Sequence, residues 1–243
     1  MSEPNQARDA GNWAKPVERL EASNVPRGAL DTVGGKKVLS PIQGFGRMWQ
    51  KTYRVSLDDT DLSPQEVVAT WKAEFPTFWP RGSQFHSPLT GIAPGEVALL
   101  QASLGGGLKL STGILVIYAD EESFTFMTPQ GHMFAGWITF SASRKDGATV
   151  AQAQLLMRAQ DPLTELGLTL GGHRKEDAFW QATLRALAVR LGSAAEPETT
   201  IVCVERRRQW SRAGNVRHSS AFRSGLHTAT SPFRRLTGAG RSQ

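Results

Sequence analysis

Apolar and polar positions change their period three times along this chain, and the changes mark out its elements. Met48, Tyr53, Val55 and Leu57 partly alternate with polar residues, which predicts a strand over Met48–Leu57. Ser63-Pro-Gln-Glu66 follows as a helix start, with Ser as N-cap, Pro at the first helical position and Glu completing a capping box. Val67, Val68, Trp71, Phe75 and Phe78 then fall on one helical face, until Pro76 and Pro80 kink or end the helix. From Gly95 to about Arg158 the period is that of strands, with candidates at 96–104, 108–118, 123–128, 133–143 and 148–158. Short turn-forming separators stand between them: Gly105-Gly-Gly107, Asp120-Glu-Glu122, Pro129-Gln-Gly131 and Lys145-Asp-Gly147. Such short links make successive strands antiparallel neighbours, so a meander is expected. Helical period returns with a short segment at 162–170, broken by Gly171-Gly172, and a longer helix at 173–191. In the latter Trp180, Leu184, Leu187 and Leu191 share a face, and Gly192 is the stop.

Strand, proline-punctuated helix, five antiparallel strands and a C-terminal amphipathic helix form an order that resembles the START-like (SRPBCC) superfamily of helix-grip proteins. Leu62-Ser-Pro-Gln-Glu-Val-Val-Ala-Thr-Trp71 and the following Phe75-Pro-Thr-Phe-Trp-Pro80 resemble that superfamily's first helix and the bend after it. The resemblance covers roughly residues 48–192. It implies an α+β fold in which a curved antiparallel sheet wraps around a long C-terminal helix. It also implies a cavity between them for an apolar or amphipathic small molecule, lipid-like or polyketide-like. The superfamily shares no universal catalytic residue, so none carries over. Three segments are expected: an irregular extension at 1–44, the helix-grip domain at 45–192, and a basic extension at 193–243.

Composition narrows the functional classes. An apolar fraction of 40%, with 7 Trp and 11 Phe, supplies a real core. The single Cys203 excludes an intramolecular disulfide framework or a multi-thiolate metal site. The first residues lack an apolar stretch of the signal-peptide kind and no run is long enough to span a bilayer, so a cytoplasmic protein is expected. The net charge is +6 overall, yet from Glu205 onward there are nine Arg and one Glu, a net of +8. The first 204 residues therefore carry about −2, and any polyanion partner concerns the C-terminal segment.

In that segment Thr199–Val204 reads as a short added strand or a docked extended piece. Beyond it, Phe222, Leu226, Ala229 and Phe233 fall at helical spacing among Arg217, Arg223, Arg234 and Arg235. This fits a basic amphipathic helix at the inner face of a membrane, a helix packed on the domain, or a disordered tail. No base-reading module accompanies the arginines, so specific nucleic-acid recognition is not expected.

Candidate chemistry is sparse. The histidines at 86, 132, 173, 218 and 227 make no His-x-x-x-His pair, so no metal site and no cofactor is expected. Gly105-Gly-Gly107 lacks the Gly-Lys-Ser/Thr ending of a phosphate-binding loop, and no Gly-x-Ser-x-Gly elbow is present. Arg144, Arg158 and Glu165 read as solvated surface. His132, in the turn Pro129-Gln-Gly-His132, has no carboxylate at a fixed local spacing to orient it. It reads as turn or pocket-rim polarity before a general acid or base. Trp71, Phe75, Leu115, Phe126, Phe140, Trp180 and Leu184, with His132, are the candidate ligand-binding residues; the apolar ones face either a packed core or a cavity. A non-catalytic binding role is the leading expectation. A cyclase- or hydrolase-like enzyme in the same cavity, or a scaffold for the basic tail, is the alternative.

Overall fold

The structure is a computed structural model, and it describes residues 10–20, 34–105 and 108–219. Strand β1 (Met48–Leu57) leads through Ser63 into helix α1 (Pro64–Glu74) and a 3-10 turn at Phe75–Phe78. The cap is the expected one: Ser63 Oγ accepts from the Glu66 amide at 3.3 Å and Glu66 Oε2 accepts from the Ser63 amide at 2.8 Å. A short β2 (Ser83–His86) precedes the meander of β3 (Val97–Gly105), β4 (Leu108–Ala119), β5 (Ser123–Met127), β6 (Phe134–Lys145) and β7 (Ala148–Ala159).

Helix α2 (Pro162–Gly167) is capped by Asp161, whose carboxylate accepts from the amides of Leu163 and Thr164 at 2.9 and 3.0 Å. The helical path then breaks at Leu170 and Gly171. Gly171 takes φ +118°, a left-handed conformation open to glycine, and re-aims the chain into α3 (His173–Arg190). Strand β8 (Glu198–Glu205) follows, and a 3-10 segment at Trp210–His218 ends the described chain.

Eight strands form one antiparallel sheet in the order β2-β3-β4-β5-β6-β7-β1-β8. Strand β1 thus lies between β7 and β8, with Trp49 opposite Met157 on one side and Cys203 on the other. Helix α3 packs across β1, β7 and β8, and α1 packs on β6 and β7. A curved antiparallel sheet closed by a long C-terminal helix is the helix-grip α+β arrangement.

The inner face is apolar because strand parity puts Tyr53, Val55, Leu57, Phe124, Phe126, Phe140, Ala151 and Ala153 there, all buried. Phe75 sits at their centre, edge-on to Phe85, Phe124, Phe126 and Phe140 at centroid distances of 4.7, 5.6, 5.4 and 5.1 Å. Each such pair adds about 0.5–1.5 kcal/mol beyond area burial.

Residues 113–118 are apolar on both sides because both sides are covered. Ile114 and Val116 join the inner core, while Leu115 packs with Leu20 and Leu99 on the outer face, alongside Val38 and Ile117. The N-terminal segment is fastened there by backbone hydrogen bonds, Ala14 to Ile117 and Leu39 to Thr128, both 2.9 Å.

The C-terminal segment is also fastened as far as it is described. The Gln209 amide donates to Phe45 O at 2.7 Å, and Trp210 meets Phe45 edge-on at 5.2 Å. Arg158 and Glu165 are not the solvated surface groups expected from sequence. Arg158 is 0% exposed and clamps both termini: it donates to Gly46 O at 2.6 Å and Arg207 O at 3.0 Å, and pairs with Glu205. Glu165, also buried, takes Arg208 at 2.9 Å. Of the three only Arg144 is exposed, donating to Gly147 O. The basic helix expected around 222–233 lies outside the described residues.

Candidate functional site

Alternation along β1 turns Trp49, Lys51, Tyr53, Val55 and Leu57 to the inner face. Val55 and Leu57 disappear into the core, whereas Lys51 and Tyr53 meet the first two turns of α3. Helical spacing brings Glu176, Asp177, Trp180 and Leu184 to the sheet-facing side of that helix. Lys51 Nζ donates to Glu176 Oε2 at 2.9 Å and to Asp177 Oδ1 at 2.7 Å, and Tyr53 Oη donates to the same Asp177 oxygen at 2.7 Å.

This is a desolvated charge cluster. Lys51 is 1% exposed and the Glu176 side chain 8%. One ammonium faces two carboxylates, leaving an excess negative charge. Burial holds the Tyr53 phenol protonated far above its ordinary range, reinforced by the negative charge of Glu176 and the hydrogen bond to Asp177.

Three buried polar atoms around the cluster have no hydrogen-bond partner: Glu176 Oε1, Trp49 Nε1 and His173 Nδ1. The His173 ring lies edge-on to Trp49 at 5.1 Å, and its Nδ1 is 3.8 Å from Glu176 Oε2. An unsatisfied buried polar atom costs about 1–3 kcal/mol, so the arrangement is not one that stability alone selects. A buried lysine shared by two carboxylates, beside a tyrosine that burial holds protonated, marks a functional candidate.

An apolar wall adjoins the cluster. Ile138 is the register partner of Leu155, and Leu155 of Lys51, so the three form one row across the inner face. Ile138, Leu100, Trp79 and Trp180 pack against the core yet keep partial exposure. Trp79 and Trp180 are braced by Phe179, whose ring centroid lies 5.0 and 4.9 Å from theirs. The partly exposed wall is apolar, and the buried polar cluster lies beside it where β1 meets α3.

The eight residues singled out in the sequence are distributed unevenly. Trp71, Phe75, Phe126, Phe140 and Leu184 come together in the packed interior, all buried. Trp180 is half-buried at their margin, 5.6 Å from the Phe140 ring. Leu115 is on the opposite face of the sheet.

His132 sits in the turn between β5 and β6, which buried Gln160 pins by accepting from the Gly131 amide at 2.5 Å and donating to Pro129 O at 3.1 Å. His132 Nδ1 accepts the Phe134 amide at 3.0 Å, so the proton of the neutral ring resides on Nε2. Burial lowers its pKa to about 4, with the backbone of Phe134 opposing weakly. At neutral pH it is an uncharged fixture of its own turn.

Lys51, Tyr53, Glu176 and Asp177 escaped the sequence reading, although the signal was present. Lys51 has the same strand parity as Tyr53, Val55 and Leu57, and Glu176 and Asp177 stand four and three residues before Trp180. A charge at a core-facing position of each element is the readable anomaly. A separate surface depression of about 400 Å³, lined by Gln65, Glu66, Ala69, Lys72 and Glu121, lies on the outer side of α1, away from this cluster.

No known family model matches the chain, and no curated protein matches it. Among solved structures, a START superfamily protein from Mycobacterium smegmatis is similar at 20% identity and a TM-score of 0.38, over 60% of this chain and 98% of that one. Ara h 8.0201 is similar at 12% identity and a TM-score of 0.42, over 59% and 97%. The di-domain ARO/CYC StfQ from the steffimycin biosynthetic pathway is similar at 10% and 0.40, over 63% of this chain and 52% of that one. These are distant likenesses, and the helix-grip architecture rests on the strand order and helix packing themselves.

Proposed function

We propose that the protein binds an amphipathic small molecule between the inner face of the sheet and α3, without catalysis. The observation that carries this reading is the buried Lys51–Glu176–Asp177–Tyr53 cluster, with its unpartnered atoms, beside the partly buried apolar wall of Leu100, Ile138, Trp79 and Trp180. Apolar ligand carbon would lie against that wall, gaining about 2.5 kcal/mol per 100 Å² removed from water. A polar end would face the cluster, which fixes orientation. Phe126, Phe140 and Leu184 back the wall from the packed interior, and Trp180 is the candidate from the sequence that touches ligand directly. Leu115 and His132 contribute to the scaffold. The test is native mass spectrometry of gently purified protein followed by solvent extraction. A stoichiometric apolar adduct supports the reading; protein that neither carries nor takes up any apolar probe at saturating concentration overturns it.

A second reading is favoured by one exposed surface. Trp210 is 73% exposed, Arg212 and Arg217 lie in the same segment, and Leu163, Leu166 and Leu170 are exposed on or just beyond α2. An indole amid arginines suits the interface of an anionic membrane. Among the described residues no helix is long and apolar enough to cross a membrane, so such contact would be peripheral. Salt-sensitive flotation with phosphatidylserine vesicles, lost in Trp210→Ala and on removal of residues 220–243, is the expected result. Binding unchanged in both variants sinks it.

A further inference from the structure

Two of the atoms left without partners where β1 meets α3, Glu176 Oε1 and Trp49 Nε1, bear on the polar end that the grip accepts. Resting on the binding reading above, we infer that the ligand's polar end is a neutral hydroxyl, donating to Glu176 Oε1 and accepting from Trp49 Nε1. Glu176 Oε2 is already committed to Lys51 at 2.9 Å, so Oε1 is the carboxylate's open acceptor. Trp49 Nε1 is a donor only, and it too is unpartnered. Both atoms lie where β1 meets α3 and are linked through His173, whose ring is 5.1 Å from that of Trp49 and whose Nδ1 is 3.8 Å from Glu176 Oε2, so an acceptor and a donor stand close together there. A hydroxyl satisfies both, since it carries one proton and two lone pairs.

The alternatives each leave a debt. A carboxylate end brings a second excess negative charge into a cluster that already holds two carboxylates against one ammonium, in a desolvated setting where like charges repel strongly. It also offers no proton to Glu176 Oε1. An ammonium end donates to Glu176 but has no lone pair for Trp49 Nε1. It would also stand beside Lys51, whose ammonium is 1% exposed and already placed between Glu176 and Asp177. Tyr53 is spoken for by Asp177 and stays protonated, so it adds no further charge.

The probes are 1-decanol, decanoate and decylamine, titrated at pH 7 by calorimetry into the full chain, the Glu176→Gln variant and the Trp49→Phe variant. Decanol is expected to bind at least tenfold more tightly than decanoate to the natural chain. Glu176→Gln should shrink that preference to within about threefold, by weakening the alcohol and relieving repulsion of the acid. Trp49→Phe keeps an aromatic ring near His173 while removing the donor and the second ring, a loss of packing common to all three probes, so decanol should weaken several-fold relative to decylamine. Decanoate or decylamine binding as tightly as decanol, or a preference that survives both substitutions, overturns the hydroxyl assignment and leaves the binding reading intact. If none of the three probes binds, the binding reading itself falls and the assignment with it.

Discussion

Lys51 illustrates how one residue can be indispensable without being stabilising in the net. Its ammonium is removed from water and repaid only through Glu176 and Asp177. Deleting the cation strands two carboxylates in the interior, which is costlier than deleting the whole cluster. Lys51→Met should therefore lower the unfolding free energy by about 3–5 kcal/mol in chemical denaturation. Combining it with Glu176→Gln and Asp177→Asn should restore more than half of that loss. His132 behaves oppositely, through a proton it declines. The folded protein keeps the imidazole neutral down to about pH 4, whereas the unfolded chain binds a proton near 6.5. Between those values the unfolded state holds more protons, so stability falls as pH drops from about 6.5 towards 4, by up to about 3 kcal/mol. In His132→Asn, whose amide oxygen can still accept from Phe134, that acid slope should flatten in melts taken from pH 7 to 4.5.

At the level of elements, Gly136 shows a tolerance set by its neighbour strand. A Cβ there would meet Leu156 O at 2.2 Å and the Met157 Cα at 2.9 Å, so β6 could keep its register with β7 only by moving apart. Gly136→Ala is expected to destabilise by about 2–4 kcal/mol, read as a shift of the denaturation midpoint with an unchanged m-value. The same level separates what the sequence discloses from what it hides. Helix α1 was legible to its cap because Ser63, Pro64 and Glu66 act locally, and the meander because each turn is short. Strand β2 is four residues long and fenced by prolines and glycines, too short to show a period. Strand β8, read from sequence as either an added strand over Thr199–Val204 or a docked extended piece, is an added strand; it alternates poorly because it is a sheet edge, with Ile201, Val202 and Val204 about half exposed whichever way they point. Arg158 looked like surface because nothing local says that Gly46, Glu205 and Arg207 will converge on it. The polar cluster hid for the same reason, since its two halves lie some 125 residues apart.

For the molecule as a whole, the described parts of the two terminal segments behave as components of the domain. Residues 34–46 cover the outer face, β8 extends the sheet, and the segment to Ser219 is tied to Gln43, Phe45 and Gln160. A chain ending at residue 192 loses one of the two strands that pair with β1, the Glu205 and Arg207 partners of Arg158, and the Arg208 partner of Glu165. Its melting temperature should fall by about 10 °C or more below that of a chain ending at residue 219. Equal melting of the two truncated forms would contradict the docking of β8.

The position of β1 also governs when the protein can become itself. It is made first among the strands, yet both of its hydrogen-bonding neighbours, β7 and β8, are made last. With pairings across about 100 residues or more, loop closure is slow and contact order high. During synthesis β1 and the buried lysine it carries must wait, unpaired, until the far end of the domain has emerged. Its polar alternation, Gln50, Thr52, Arg54 and Ser56 on the outer side, keeps the waiting strand soluble while its hydrophobic side has nothing to cover it.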